Sequence, residues 1–218
     1  MEITKETRTY RLHGTTSLLG SNPANPEIHS KYVASKAATL EKAALEEAML
    51  PGSDELAEKL RDIKESGLTV FLRGSHGEIV LGAHCIKGFF KAAFSTLKDQ
   101  FGISAAKSKI DNLVFIRPDF VPVLDGHGKP QTEPDGYCER SLRAETMQGP
   151  RVTLASSEEI APPWQMEFSV TIVKNNGSGR SNAVTFETIE AALDYGELKG
   201  LGQWRNSGRG SFVWERIG

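Results

Sequence analysis

Ile86, Phe89, Phe90, Ala93, Phe94 and Leu97 recur at three- and four-residue intervals, which places them on one face of a helix. A second stripe, Phe186, Ile189, Ala192 and Leu193, predicts a helix capped by Thr185 and running to about Tyr195. Trp164 to Val173 alternates apolar and polar residues, as a half-buried strand does. Shorter stretches of strand character lie at 9–14, 68–73, 78–81, 113–117, 120–124 and 211–217, with Pro118 breaking the fourth from the fifth. Residues 137–157 are β-prone and turn at Gln148-Gly149-Pro150. Two further helices are predicted early in the chain. One, dense in alanine, runs from Lys31 to Leu50, capped by Ser30 and stopped by Pro51-Gly52; the other spans Asp54 to Glu65, with Leu56, Leu60 and Ile63 on one face. Turn-rich loops separate these elements at 19–26, 125–136 and 174–182.

This order predicts an α+β protein. Its core reads as β-α-β-β-α-β, a modified ferredoxin-like (RRM-like) sheet. Residues 1–218 then form a single domain with two insertions, a helical one at about 31–66 and a β-hairpin one at about 125–163. No internal repeat and no linker divides the chain.

Composition narrows the class. The 218 residues are 39% hydrophobic, with no apolar run long enough for a bilayer. The first eight residues lack the apolar centre of a signal peptide. Two cysteines, Cys85 and Cys138, make no disulfide framework, so a reducing, cytoplasmic setting is expected. The net charge of -2 is not that of a generic nucleic-acid binder, but the charge is unevenly spread. Residues 41–65 hold eight acids against four bases, residues 84–109 five bases against Asp99, and residues 199–218 four bases against Glu215. One surface can therefore be positive while another is negative.

The C-terminal stretch Gly200-Leu201-Gly202-Gln203-Trp204-Arg205-Asn206-Ser207-Gly208-Arg209-Gly210-Ser211-Phe212 joins glycines, two arginines and a tryptophan in one bend. Glycine permits close backbone approach, arginine pairs with phosphate and tryptophan offers a face to a base. The same residues also suit a plain connection into a final strand.

Three pieces of the chain resemble the RAMP superfamily of CRISPR RNA-binding proteins, above all the subunits that polymerise along a guide RNA. They are an early strand ending in Thr15-Thr16-Ser17-Leu18-Leu19-Gly20-Ser21, Leu81-Gly82-Ala83-His84-Cys85-Ile86-Lys87-Gly88-Phe89-Phe90-Lys91-Ala92-Ala93-Phe94 leading into the first core helix, and the C-terminal glycine bend from Leu201 to Phe212. Two features depart from the family pattern. His84-Cys85-Ile86 stands where the family has proline-glycine-serine, and the acidic helices at 31–65 have no counterpart. Both suit a divergent stand-alone or virus-borne relative. The resemblance implies a cytoplasmic antiviral ribonucleoprotein, with subunits stacked in a filament on a guide RNA that pairs with target DNA or RNA. It implies RNA in a basic groove between the first core helix and the glycine bend, and a thumb, Tyr137 to Ile160, pressed between bases.

On that reading Lys87, at a helix start, and Lys91, one turn on, contact phosphate; the bland reading is a pair of solvated lysines. Arg205 and Arg209 flank Ser207-Gly208 and reach a backbone lying on the bend. Trp204 either stacks on a base or closes the core. Arg140, Arg143 and Arg151 serve the thumb or make surface ion pairs. Ser21, Asn22 and Ser207 suit ribose hydroxyls. No catalytic set is expected: His13, His29, His76, His84 and His127 are scattered. Asp119, Asp125 and Asp135 lie in loops where some family members carry a cleaving aspartate, and nothing distinguishes one of them. No metal and no cofactor is expected, because His84-Cys85 has no second pair at ligand spacing and 177–181 lacks the end of a P-loop. Two other readings stay open: a RAMP-like endoribonuclease acting on precursor RNA, and a viral structural or assembly protein.

Overall fold

In a computed structural model, residues 3–24, 68–146, 149–174 and 183–218 are described; the side chains of 142–154 lie outside that description. The expected helices at 31–50 and 54–65, His29 and most of the 174–182 loop also lie outside it. The described strands are β1 (Lys5–Gly14), β2 (Leu18–Leu19), β3 (Asn22–Pro23), β4 (Leu68–Val70), β5 (Leu72–Arg73), β6 (Ile79–Gly82), β7 (Val114–Arg117), β8 (Phe120–Pro122), β9 (Gly136–Thr146), β10 (Gly149–Ile160), β11 (Gln165–Val173) and β12 (Phe212–Arg216). The helices are α1 (Ala83–Thr96), α2 (Lys98–Phe101), α3 (Ala106–Leu113) and α4 (Phe186–Lys199). The protein is a mixed α+β molecule, with three sheets among the described residues.

The main sheet has the order β12-β1-β11-β7, antiparallel throughout. Numbered by position in the chain, its four strands run fourth, first, third, second. One long helix, α1, falls between β1 and β7, and the other, α4, between β11 and β12. Alternation along the strands decides what each face carries. Tyr10, Leu12, Val114, Ile116, Met166, Phe168, Val170, Ile172 and Phe212 belong to one core with the apolar stripes of α1 and α4. Each fully buried phenylalanine there is worth roughly 1.5–3 kcal/mol of apolar transfer. Phe89 of α1 meets Phe212 of β12 edge to face, with ring centres 5.8 Å apart.

The opposite face of this sheet carries exposed Phe115 and Val213 beside polar residues paired across strands. Thr7 and Thr171 hydroxyls lie 2.8 Å apart and those of Thr9 and Ser169 3.0 Å. Arg11 bridges Glu167 at 2.7 Å and Glu215 at 2.9 Å. Trp164 caps the core where β10 hands over to β11: fully buried, its Nε1 donates to the Thr16 carbonyl at 2.8 Å. Gly14 lies under that ring, and a Cβ there would overlap it.

Local chemistry sets the helix ends. The Thr185 and Thr188 side chains cap each other's backbone N–H at the start of α4. The Ala83 N–H of α1 donates to the Asp119 carbonyl at 2.8 Å, which ties that helix start to the β7–β8 turn. The structure adds α2 and α3 between residues 98 and 113, where no element was expected. The expected strand at 68–73 divides into β4 and β5, which join different sheets.

β9 and β10 form a long antiparallel hairpin in the register Gly136↔Glu159 to Thr146↔Gly149. Its base is held in the second sheet, of order β2-β10-β4-β3, by parallel pairing with β4 at Ser156 and Ser157 and antiparallel pairing with β2 at Glu159 and Ile160. The buried Glu158 carboxylate reinforces the joint, accepting from the Phe71 N–H at 2.7 Å and from Arg73 Nη2 at 2.9 Å. No helix among the described residues is long and apolar enough to cross a membrane.

Candidate nucleic-acid interface

The glycine bend crosses the base of the β9–β10 hairpin. It leaves α4 at Gly200, makes a single 3-10 turn at Arg205–Ser207 and enters β12. Leu201 N–H donates to the Gly210 carbonyl, and Gly210 N–H donates to the Ser17 carbonyl, both at 2.8 Å. Gly210 has φ +72°, and a Cβ there would overlap the Leu201 carbonyl. Glycine is therefore required by both conformation and space.

Trp204 is held in the left-handed region, with φ 58° and ψ 31°. A non-glycine residue there costs of order 1–3 kcal/mol and persists only where its surroundings over-determine it. The ring is partly exposed and meets two guanidinium groups: the Arg140 carbon lies 5.0 Å from its centre and that of Arg209 6.0 Å. Arg209 also pairs with Glu159 at 3.2 Å.

Arg140 is expected on the thumb or in a surface ion pair. It is instead only 8% exposed at the hairpin base, where Nη1 donates to Ser157 Oγ at 3.0 Å. The Gln203 amide is oriented by its neighbours, nitrogen toward the acceptors. Nε2 then lies 2.6 Å from the Gly20 carbonyl oxygen, 2.8 Å from Thr69 Oγ1 and 3.1 Å from Ser157 Oγ, while Oε1 accepts from Arg140 Nη2 at 3.0 Å. Among the described residues, neither Arg140 nor Arg205 has a carboxylate at ion-pair distance. Of the three arginines of this cluster, Arg209 alone has a carboxylate at ion-pair distance among the described residues, Glu159.

Lys87 and Lys91 lie elsewhere. Lys87 Nζ donates to the Asp111 carbonyl at 2.8 Å and stands 5.4 Å from the centre of the Phe115 ring; Lys91 pairs with the Asp111 carboxylate at 3.0 Å. Burial pushes the Lys87 ammonium below the usual lysine value, with Asp111 opposing. The flank of α1 toward the glycine bend carries Cys85, whose thiol interacts with Ser21 and feels the Arg205 charge. Cys85 and Lys87 are about 200° apart around a helix. Lys87 and Lys91 thus meet Asp111 and Phe115, while Cys85 on another flank of α1 meets Ser21.

Asn22 sits in β3 and reaches the Val70 carbonyl at 3.4 Å, and Ser207 and Gly208 are exposed on the 3-10 turn. Arg143 and Arg151 fall on β9 and β10, opposite Val152 and Ala144 respectively. The loop aspartates have structural partners: Asp125 accepts from the N–H groups of Lys129 and His127, Asp135 from the Ala161 N–H at 2.8 Å, and Asp119 pairs with Arg117. His13 binds Glu215 at 3.2 Å on the polar sheet face, and His84 Nε2 lies 3.4 Å from Cys85 Sγ. No group of three or more potential metal ligands occurs among the described residues. Gln203, Thr69 and Ser157 were not singled out in the sequence. Only Gln203, beside Trp204 in the bend, carried a signal that could have marked it.

No family model matches the chain, and no curated protein matches it. Among solved structures, it is similar to a chain in the cryo-EM structure of the Type III-B Cmr-beta bound to cognate target RNA. The two are 14% identical with a TM-score of 0.47, and the match covers 97% of this chain and 61% of that one. The protein thus spans less than two thirds of that chain's length.

Proposed function

We propose that this protein is a RAMP-type, non-catalytic RNA-binding protein that holds a guide RNA by its backbone and presents it for pairing with a target nucleic acid. The observation that carries this reading is the cluster at the glycine bend. There the guanidiniums of Arg140 and Arg209 lie over a strained, partly exposed Trp204, Arg205 follows it in the chain, and among the described residues Arg209 alone of the three has a carboxylate partner. Flat donors and an aromatic face on a closely approachable backbone suit a single strand better than a small neutral substrate.

In this reading the strand order and helix placement of the main sheet are those of a ferredoxin-like core. The β9–β10 hairpin is its thumb insertion, carrying Arg143 and Arg151, and residues 31–66 are a second insertion. Ser21, Asn22, Ser207 and Gly208 line the path of the backbone, and Lys87 and Lys91 make a separate, secondary contact. Copies of the chain assemble along the RNA in the cytoplasm, without a cofactor. Backbone contacts suffice, since base pairing supplies sequence choice.

The test is to purify the protein from its native host and sequence any nucleic acid that accompanies it. RNA of defined length and common origin is expected. Protein free of nucleic acid that also fails to shift single-stranded RNA at low salt would overturn the proposal.

A further inference from the structure

We infer that Arg140, Gln203 and Trp204 form a built subsite for one unpaired nucleotide, in which the base stacks on Trp204 and Gln203 is the positioning residue. This rests on the RNA-binding reading above and specifies how the bend would engage the strand.

Gln203 precedes the strained residue, and its amide meets partners from three separate segments: Gly20 after β2, Thr69 in β4 and Ser157 in β10. Its oxygen takes Arg140, so every polar atom of the side chain is engaged. The peptide leading into Trp204 is thereby fixed relative to both the hairpin base and the β3–β4 pair. That is what holds a tryptophan in a backbone region it would otherwise leave.

Arg140 completes the subsite. Its guanidinium is buried, yet its partners are a hydroxyl, an amide oxygen and an aromatic face, with no carboxylate among the described residues. Among the described residues no carboxylate stands against this charge, which lies over the Trp204 ring. A partly exposed aromatic ring with a buried guanidinium over it matches a nucleotide, whose flat base and anionic phosphate are covalently joined. The polar face of the main sheet offers no such match, because Arg11 there is already neutralised by Glu167 and Glu215. A duplex would keep its bases stacked on each other, so the ligand is single-stranded.

The experiment uses the full chain freed of nucleic acid, an oligoadenylate RNA decamer and inorganic polyphosphate as a polyanion without bases. The decamer is expected to quench tryptophan emission and polyphosphate to leave it unchanged. Trp204→Leu should abolish the quench and weaken decamer binding about 5- to 160-fold. Gln203→Ala should reproduce that loss while keeping the wild-type salt slope and polyphosphate affinity, which a general folding defect would not spare. Thr69→Val, which removes one arm of the network, should shift affinity and quench the same way by a smaller factor. Gln203→Ala and Thr69→Val proteins that bind and quench as wild type would overturn the subsite while leaving the RNA-binding reading standing. A wild-type protein that binds no RNA at all would overturn both.

Discussion

The guanidinium of Arg140 lies 5.0 Å from the centre of the Trp204 ring, so the base of the hairpin and the bend before the last strand share one contact. Arg140→Met retains bulk but strips the donors that Ser157 Oγ and Gln203 Oε1 receive. Leaving those acceptors unmatched should cost roughly 1–3 kcal/mol. Urea denaturation followed by far-UV circular dichroism checks this; an unchanged midpoint and slope would count against the packing described.

Arg205 and Lys87 should respond differently to neutralisation. Arg205→Gln removes a cation that has no carboxylate partner among the described residues, and the slope of log affinity against log salt for single-stranded RNA should fall by about 0.7. Lys87→Gln removes the ammonium of the secondary contact, which already donates to the Asp111 carbonyl, and should lower the slope by a smaller amount. Equal changes in the two variants would return Lys87 to the main RNA path.

Two glycines of the same bend provide a steric comparison. Gly208 and Gly210 both have positive φ, but a Cβ at Gly208 meets open space while one at Gly210 overlaps the Leu201 carbonyl. Gly208→Ala should cost only the left-handed penalty of about 1–2 kcal/mol. Gly210→Ala should cost clearly more, because the bend must also move. Thermal unfolding of the two variants side by side measures the difference.

Cys85 should be a slow thiol. Burial pushes its pKa above the usual thiol value, against opposing effects from Ser21 and Arg205. Iodoacetamide labelling at Cys85, read by mass spectrometry, should be slow near neutral pH and rise only in alkaline buffer. The folded-state value is the raised one, so this group's contribution to stability is complete below the ordinary thiol pKa. It declines as pH climbs through the raised value. Rapid labelling at pH 7 in the folded protein would contradict the burial.

On the polar sheet face the sign is reversed. Hydrogen bonding from His13, then from Arg11, holds Glu215 below the usual carboxylate range. Its contribution is present above that range and lost as pH falls through the lowered value. Glu215→Gln should therefore flatten the acid side of the stability profile, as measured by thermal midpoint from pH 6 to pH 3.

Much of the scaffold was legible because its signals are local. The stripe from Ile86 to Phe94 announced α1, the alternation from Met166 to Ile172 announced β11, and Thr185 marked the start of α4. Residues 98–113 were not legible: α2 has four residues and α3 eight, too short for a stripe to stand out. The division of 68–73 into β4 and β5 was equally hidden, since a run of β-formers does not say which neighbour each half will meet.

Periodicity and chemical type along the chain determined which residues turn inward, where the long helices begin, and that the C-terminal bend needs glycine. Only the tertiary structure decided the partners. It drew Lys87 and Lys91 to Asp111, buried Arg140 beneath Trp204 and made Gln203 the junction of the bend, β4 and β10. Side-chain spacing operates over two to four residues, whereas strand order and register bring together groups far apart in the chain. A cation's role is set by the neighbour it meets there.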